Sequence, residues 1–466
     1  MTTLSLPYLT FGIGSLLVGC GLCLRHAQPG TGRRTALWAT ALALLSFAFA
    51  AQEVHRQPGM RLLDPWIGGL ESDALDAVPM IFYAALTLLL LFLAPRRDTQ
   101  GKALAGMLLL TAATQIAYAA SNLTTLAIGW WLTTLPFALP FFGQPPGRRT
   151  VSFFLAISAL SLTGAIFALH ATAMEDLSHI GHWSLGLVVL AVAFRKGLFP
   201  VHSWVVASFE HGPLLPAVLL FNGHLGALLI ARSEAVVLPD FAHSLLDGLA
   251  IAALLTALIT SLRGFAEKKP RRLLAFVCIS QASFILAGLA TANTQGITGS
   301  LTHWLVVTAA SSGLVAIVRI LEVRVMDVTN PEGNLGLAVK APRLATFFLI
   351  CGLALIGLPG TLGYCAEDLL FHGALSSHSY LGLALLVATA FNAINLLRLY
   401  SLLFLGVLPK HVIDIPDALP RERWPLVACV SFLIFGGLFP GKVIPWRSEA
   451  AEEISRAMGV GHAPGH

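Results

Sequence analysis

Lys196 is the residue of this sequence best suited to chemistry in an apolar environment. It closes the apolar run from Leu185 to Phe194, and Pro200 follows four residues later. A lysine inside a hydrophobic span costs roughly 2.5–3.5 kcal/mol on insertion scales, so a functional reason is expected. The proline breaks the helical hydrogen-bond ladder and frees carbonyl oxygens that water or a cation can bind. The pattern is typical of a proton or cation site at a broken membrane helix, but a lysine that extends its amine to the membrane surface gives the same pattern.

Three histidines and a serine could extend a proton path from Lys196. His202 lies just beyond the proline break, and His224 and His303 stand in apolar surroundings. An imidazole titrates near neutral pH and therefore suits proton transfer within a membrane. Ser311 follows His303 at a spacing that lets both line one side of a helix. The same residues could instead form hydrogen bonds between helices or let helices pack closely.

A second acidic break lies in the other half of the chain. Glu367 and Asp368 follow the segment GLPGTLGYCA, which begins at Gly357. Discontinuous helices in corresponding halves of a chain are the best sequence pointer to a transport pathway. The sequence therefore predicts an ion pathway formed by Lys196, His202, His224, His303, Ser311, Glu367 and Asp368.

The composition indicates a polytopic membrane protein. Of 466 residues, 56% are hydrophobic and 11% charged, and the mean hydropathy is +0.77. Soluble domains carry about 25% charged residues. The net charge of +5 does not indicate nucleic-acid binding, because the arginines fall in short loops. We expect no cofactor, no metal and no catalysis by this chain itself, because no catalytic triad, phosphate loop or metal-ligand pattern occurs. The six cysteines favour packing over disulfides or a metal site, since all lie in or beside apolar segments.

Apolar runs of about 17–25 residues predict about fourteen transmembrane helices in an all-α fold. With the N-terminus outside, nineteen lysines and arginines fall in cytoplasmic loops and six on the other side. This bias predicts a multi-pass protein of the bacterial inner membrane with both termini on the periplasmic side. The predicted spans, with a further short helix near 365–374, are 8–25, 36–52, 78–94, 103–120, 123–142, 151–172, 184–207, 214–231, 245–262, 273–292, 298–321, 343–360, 380–406 and 424–440.

Three segments, in order, resemble the antiporter-like subunits of respiratory complex I and of multisubunit cation/proton antiporters. They are FRKGLFPVHSW from Phe194, RRLLAFVCISQASFIL from Arg271 and GLPGTLGYCAE from Gly357. The resemblance covers about residues 120–410 and implies two inverted five-helix repeats, each with a broken helix. It divides the chain into N-terminal helices (1–120), a first repeat (121–262), a second repeat (263–410), and a C-terminal helix and tail (411–466).

The resemblance also assigns roles to single residues. Lys196 matches the lysine of the first repeat, and Glu367 matches the acid or lysine at the second break. His224 stands where some members place a central lysine. His303 fits the first histidine of a later helix, and Ser311 replaces the lysine expected there.

One departure from the family pattern affects the mechanism. The family usually places a glutamate on the fifth helix to pair with the lysine, and Trp131 stands in its place here. A redox-driven pump needs coupled charges to change the protonation of its lysine. The missing carboxylate therefore favours a downhill proton conduit, and the chain most resembles the DabB-type subunit of the inorganic-carbon accumulation complex.

Three functions follow from this comparison. The first is a proton- or Na+-conducting subunit that drives CO2 or bicarbonate uptake with a large soluble or peripheral partner, such as one resembling a zinc carbonic anhydrase. The alternative is a proton-pumping, antiporter-like subunit of an NADH-quinone oxidoreductase, a membrane hydrogenase or a cation/proton antiporter. The third is a membrane scaffold with a closed channel.

Overall fold

The structure, a computed structural model, is a bundle of α-helices. It describes residues 2–25, 29–171, 181–234, 240–291, 293–329, 331–377, 379–408 and 415–457. Within these ranges the chain forms the helices α1 (Tyr8–Arg25), α2 (Pro29–Arg56), α3 (Ala77–Leu93), α4 (Gly101–Tyr118), α5 (Leu123–Ala138), α6 (Arg148–Ala171), α7 (His182–Lys196), α8 (Ser203–His211), α9 (Leu214–Asn222), α10 (Leu225–Glu234), α11 (Asp240–Ala266), α12 (Pro270–Leu289), α13 (Thr294–Arg324), α14 (Pro342–Leu355), α15 (Leu362–Ser377), α16 (Ser379–Phe404), α17 (Pro420–Leu438) and α18 (Pro445–Ala457). A two-stranded antiparallel hairpin joins β1 (Leu62–Leu63) to β2 (Glu71–Ser72).

The predicted all-α membrane fold is confirmed. In the described part of the chain, nine helices are long and apolar enough to cross a membrane, and α3 and α14 are shorter apolar helices. Pairing α7 with α8, α9 with α10 and α14 with α15, and leaving out the polar helix α18, gives fourteen candidate spanning segments among the described residues, in line with the number predicted from the apolar runs. The short helix predicted near 365–374 is part of α15.

Both predicted helix breaks are present. Helix α7 ends at Lys196, and Gly197 follows in the left-handed conformation with a φ of 66°. Helix α14 ends shortly before Gly357, whose φ is 69°. Glycine adopts these angles without the steric cost that a Cβ imposes, and a proline follows each one within three residues. The local sequence is therefore sufficient to end both helices.

A third interruption separates α9 from α10, where the sequence predicts one continuous helix over 214–231. The chain turns at Gly223 and His224, and His224 has a φ of 42°. Positive φ is uncommon for a residue other than glycine, although histidine, asparagine and aspartate tolerate it best. A single glycine within a long apolar run did not distinguish this turn from an uninterrupted span.

The centre of the bundle is formed by α9–α10, α12 and α13. The most apolar stretch of α9–α10 is completely buried, and 94% of the corresponding stretch is buried in α12 and in α13. Outer helices such as α1, α2 and α6 bury well under half of theirs. Polar side chains on the central helices are therefore enclosed by protein on every side, and they determine where an ion pathway can run.

Two further elements lie outside the predicted spans. One is the hairpin before α3, and the other is α18, which packs against α13 and α10. The Arg447 guanidinium of α18 is buried and donates to the Leu75 carbonyl at 3.0 Å. Helix α18 is too polar for an apolar-run criterion, so the sequence predicted only one helix after residue 411.

A buried ionic cluster ties the hairpin to the end of α10. The Arg232 guanidinium lies 2.5 Å from the Asp76 carboxylate and 3.4 Å from that of Asp73. Burial alone would raise the pKa of Asp73, but the charges of Arg232 and Arg61 hold it below its ordinary value. The cluster fixes the C-terminal end of α10, the helix that begins beside His224.

We expect Arg232→Gln to destabilise the protein by about 3–5 kcal/mol, because it removes the buried cation that pairs with the Asp76 carboxylate. Thermal unfolding of the purified protein in detergent measures the effect. Arg456→Gln is the control, since the Arg456 side chain is 67% exposed and lies 3.7 Å from a surface glutamate, Glu452. Equal unfolding temperatures for the two variants would show that the cluster does not hold the fold.

Candidate functional site

The Lys196 amine lies inside the bundle. Its Nζ is 2.8 Å from Nδ1 of His224, and the two residues are 3% and 1% exposed. The lysine stem runs along α10 at Gly226, where an added Cβ would lie 2.7 Å from Lys196 Cγ. This geometry excludes an amine that extends to the membrane surface, and it joins two titratable nitrogens in one hydrogen bond.

Neither Lys196 nor the adjacent Arg195 pairs with a carboxylate in the described structure. The Lys196 amine is buried with no acidic neighbour among the described residues. Arg195 donates to Thr133 Oγ1 at 2.6 Å. The Arg195 guanidinium also lies over the Trp130 ring, 5.3 Å from its centre. Trp131, which stands where the family usually has glutamate, donates to Thr163 Oγ1 at 2.9 Å. Two buried cationic side chains are thus held by neutral groups.

His303 of α13 extends the polar region away from Lys196. It is fully buried, stacks on Phe284 with ring centres 5.7 Å apart, and interacts electrostatically with both Lys196 and His224. It lies next to Gln281, whose side-chain oxygen and nitrogen are buried without a hydrogen-bond partner among the described residues. Buried polar groups of this kind are where ordered water is usually bound in proteins.

Ser311 belongs to a hydrogen-bonded cluster that joins α9 to α13. Asn222 donates from Nδ2 to Ser311 Oγ at 2.9 Å and to Ser312 Oγ at 2.8 Å. Asn222 lies two residues before His224 at the α9–α10 turn. The cluster therefore connects the turn that carries His224 to the helix that carries His303.

Glu367 lies at the second break. An added Cβ at Gly357 would lie 2.5 Å from its Oε2, so the carboxylate rests directly against the glycine that ends α14. Its Oε1 is buried and has no hydrogen-bond partner in the described part of the chain. A residue with a side chain could not replace Gly357 without displacing the Glu367 carboxylate. Helix α15, which carries Glu367, packs closely on α13.

The structure leaves two predicted site residues outside this arrangement. The Asp368 side chain is 48% exposed and lies 3.5 Å from His372, one turn later in α15. His202 is half-buried and packs between the rings of Phe199 and Phe276. Lys196, His224, His303 and Ser311 are brought together around α13, and Glu367 lies at the other break, on a helix that packs against α13.

Several buried polar residues near the site were not predicted to belong to it. Asn392 donates to Ser280 Oγ at 2.8 Å, and Asn395 donates to the Ser261 carbonyl at 2.7 Å. Gln281 follows Ser280 on α12. The available signal was the occurrence of amide side chains in helices that are otherwise apolar, because such side chains are costly in a membrane unless paired or hydrated.

An ion cluster fixes the far end of the first broken helix. Glu210, near the end of α8, accepts from Lys269 at 3.0 Å and from Arg272 at 2.7 Å. Partial burial raises the pKa of Glu210, but the hydrogen bonds from Arg272 and Lys269 outweigh it, so the pKa lies below its ordinary value. These contacts hold α8 against the start of α12 and fix the position of the break.

The arrangement matches a known family. The family described as "NADH:quinone oxidoreductase/Mrp antiporter, TM" matches residues 150–392, which is more than half of the chain. The chain belongs to this family. The match includes both breaks, Lys196, His224, His303 and Glu367.

Two curated relatives are subunits of quinone oxidoreductases. The chain is 26% identical over 483 residues to NAD(P)H-quinone oxidoreductase chain 4 1 of Synechococcus elongatus, covering 94% of this chain and 90% of that protein. It is also 26% identical over 314 residues to NADH-quinone oxidoreductase subunit M of Rickettsia bellii, covering 63% of each. The matched stretch thus spans less than two thirds of the Rickettsia subunit.

Solved structures share the fold at low sequence identity. Respiratory complex I from Thermus thermophilus with bound NADH contains a chain that superposes with a TM-score of 0.83 at 21% identity, covering 97% of this chain and all of that one. The Mrp complex from Dietzia sp. contains one with a TM-score of 0.82 at 18% identity, covering 97% and 99%. Both are chains of multi-subunit membrane complexes, so the fold of an antiporter-like membrane subunit is established.

We expect Gly226→Ala to reduce ion conduction several-fold, because the new methyl group must displace the Lys196 stem. Gly248→Ala is the matched control, since no described neighbour lies within 4 Å of a Cβ at Gly248 in α11. Both changes raise helix propensity by about 1 kcal/mol, so their difference isolates the contact with the lysine. Proton flux through the reconstituted protein measures it. Equal flux in both variants would contradict a fixed position for the amine.

Proposed function

We propose that this chain conducts protons across the membrane as an antiporter-like subunit of a multi-subunit complex. The observation that carries the proposal is the 2.8 Å contact between Lys196 Nζ and His224 Nδ1. A hydrogen bond between two nitrogens needs a proton on one and a lone pair on the other. At this separation, in a medium of low dielectric, two full positive charges repel strongly. The pair therefore holds one excess proton readily and a second only at high cost.

This property makes the pair a relay. A proton that reaches one nitrogen lowers the affinity of the other for its own proton, and the release of that proton restores the first state. His303 of α13 interacts electrostatically with both Lys196 and His224, and it is the next titratable group in the proposed path. Gln281 and the cluster of Asn222 with Ser311 supply polar groups beside it. Glu367, at the second break on α15, is the acid that receives the proton.

The family relationship favours a redox or antiporter complex as the setting. The relatives are subunits of quinone oxidoreductases, and one structural neighbour is a chain of an Mrp complex. We therefore place this chain among the membrane subunits of such a complex, whose catalysis lies elsewhere. Its charge distribution supports an inner-membrane location with both termini on the periplasmic side. Inorganic-carbon uptake receives no support from these relatives.

One observation favours a second candidate function. No carboxylate contacts Lys196 in the described structure, so the lysine lacks the charged partner whose movement would drive a pump. Downhill conduction that energises CO2 or bicarbonate uptake suits such a site. The co-purifying subunits distinguish the two candidates. Redox or antiporter subunits support the first, and a large zinc-binding protein resembling a carbonic anhydrase supports the second.

Lys196→Ala is expected to lower proton flux on the order of a hundredfold, the lower range of what a positioned proton-transfer group contributes. The assay uses proteoliposomes that contain the purified complex and a pH-sensitive dye. Lys102→Ala, at an exposed position at the start of α4, is the control and should conduct like the wild type. If Lys196→Ala assembles normally and conducts as well as Lys102→Ala, the proposed function is wrong.

The neighbouring acids of α15 provide a second, matched test. Glu367→Gln removes a titratable group whose Oε1 is buried, whereas Asp368→Asn removes one whose side chain is 48% exposed. We expect Glu367→Gln to lose most of the proton flux and Asp368→Asn to retain it. The same dye assay measures both. Loss of flux in Asp368→Asn with normal flux in Glu367→Gln would place the pathway on the other face of α15.

A further inference from the structure

An apolar cleft opens on the side of the bundle between α3 and α17, with α13 at its base. Its volume is about 520 Å³. Apart from Arg421 and the Thr308 side chain, its walls are formed almost entirely by hydrophobic residues, among them Leu86, Leu89, Trp424, Ala428 and Phe432. The cleft is separate from the polar region that contains Lys196.

The cleft has the depth of one leaflet of a bilayer. At one end of the cleft, the rings of Phe82 and Phe432 lie with their centres 4.7 Å apart. Phe92 lies at the other end of the cleft, near the C-terminus of α3. It is ten positions after Phe82, which corresponds to about 15 Å at 1.5 Å per residue. A bilayer has a hydrocarbon core of about 30 Å. A transmembrane helix of a partner needs a groove along the whole core, whereas an acyl chain needs only this half.

The end of the cleft beside Phe92 and Arg421 is positively charged. Arg421, in the first turn of α17, lines the cleft, and its Nε is buried without a hydrogen-bond partner among the described residues. Arg33 of α2 donates to the Phe92 carbonyl and interacts electrostatically with Arg421 and Arg96. The nearby Glu422 is engaged by Arg324 at 2.5 Å and lies 3.7 Å from Arg421. Among the residues that the structure describes, the arginines therefore outnumber the carboxylates there.

We propose that the cleft binds an anionic phospholipid. One acyl chain lies between α3 and α17, and the phosphate accepts hydrogen bonds from Arg421 and Arg33. Basic pockets between transmembrane helices bind anionic head groups, and arginine pairs with phosphate more strongly than with neutral groups. Trp424, which is 65% exposed, stands at the level where aromatic side chains meet the head groups.

The bound acyl chain has a consequence for the interior. Thr308 at the base of the cleft has a buried hydroxyl without a hydrogen-bond partner in the described structure, and its carbonyl accepts from Asn222 at 3.3 Å. The wall between the cleft and the Asn222 cluster is therefore one helix thick. A lipid chain in the cleft keeps water away from the outside of that wall.

Native mass spectrometry of the full-length, delipidated protein tests the proposal. The protein is mixed with equal amounts of phosphatidylglycerol and phosphatidylcholine that carry the same acyl chains. We expect about tenfold preferential retention of phosphatidylglycerol, which corresponds to one charge-assisted hydrogen bond. Arg421→Gln should remove the preference. Arg423→Gln should keep it, because Arg423 stacks on Trp424 and does not line the cleft.

A second variant and a competitor keep the test decisive if Arg421→Gln folds poorly. Ala85→Trp fills the cleft without changing charge and should abolish tight retention of either lipid, with an unchanged unfolding temperature. Inorganic phosphate at millimolar concentration should not displace the lipid. Equal retention of both lipids by the wild type, unchanged retention in Ala85→Trp, or displacement by inorganic phosphate would each overturn the proposal.

Discussion

The contact between the Lys196 amine and the His224 imidazole is the constraint on which the account of this protein depends. A buried cation usually requires a carboxylate, because desolvation outweighs what neutral groups return. Here the partner is a nitrogen of the His224 imidazole, supplemented by the face of Phe221, whose centre lies 5.8 Å from Nζ. The neighbouring Arg195 is held in the same way by Thr133 and Trp130. Charge is thus tolerated without being fixed by an acid.

Two helix interruptions bring the Lys196 and His224 nitrogens together. Gly197 ends α7 directly after Lys196, so the amine lies beside α10 where Gly226 leaves room for its stem. The turn at Gly223 and His224 rotates the imidazole towards the lysine, and the Arg232 cluster fixes the other end of α10. The second break repeats the principle with Gly357 and Glu367. Backbone irregularity in this membrane protein occurs where titratable groups are placed, as expected when broken helices form a transport site.

The sequence was informative where the signal was local. A lysine or glutamate beside a glycine and a proline in an apolar run indicated both breaks, and the structure has both. The contact of Lys196 with His224 could not be predicted, because it depends on an interruption that one glycine did not reveal. Glu367 and Asp368 are also indistinguishable by sequence alone. Successive helical residues point about 100° apart, and only tertiary packing decides which acid is enclosed. Helix α18 was missed because it is polar.

Nitrogen-15 NMR of the histidine-labelled protein in liposomes tests the shared proton most directly. The His224 signal is assigned by its loss in His224→Asn, a residue that also tolerates a positive φ. The account predicts that His224 changes protonation over a range of pH that differs clearly between the wild type and Lys196→Met, because the two nitrogens hold one proton in common. An identical titration of His224 in both proteins would contradict it.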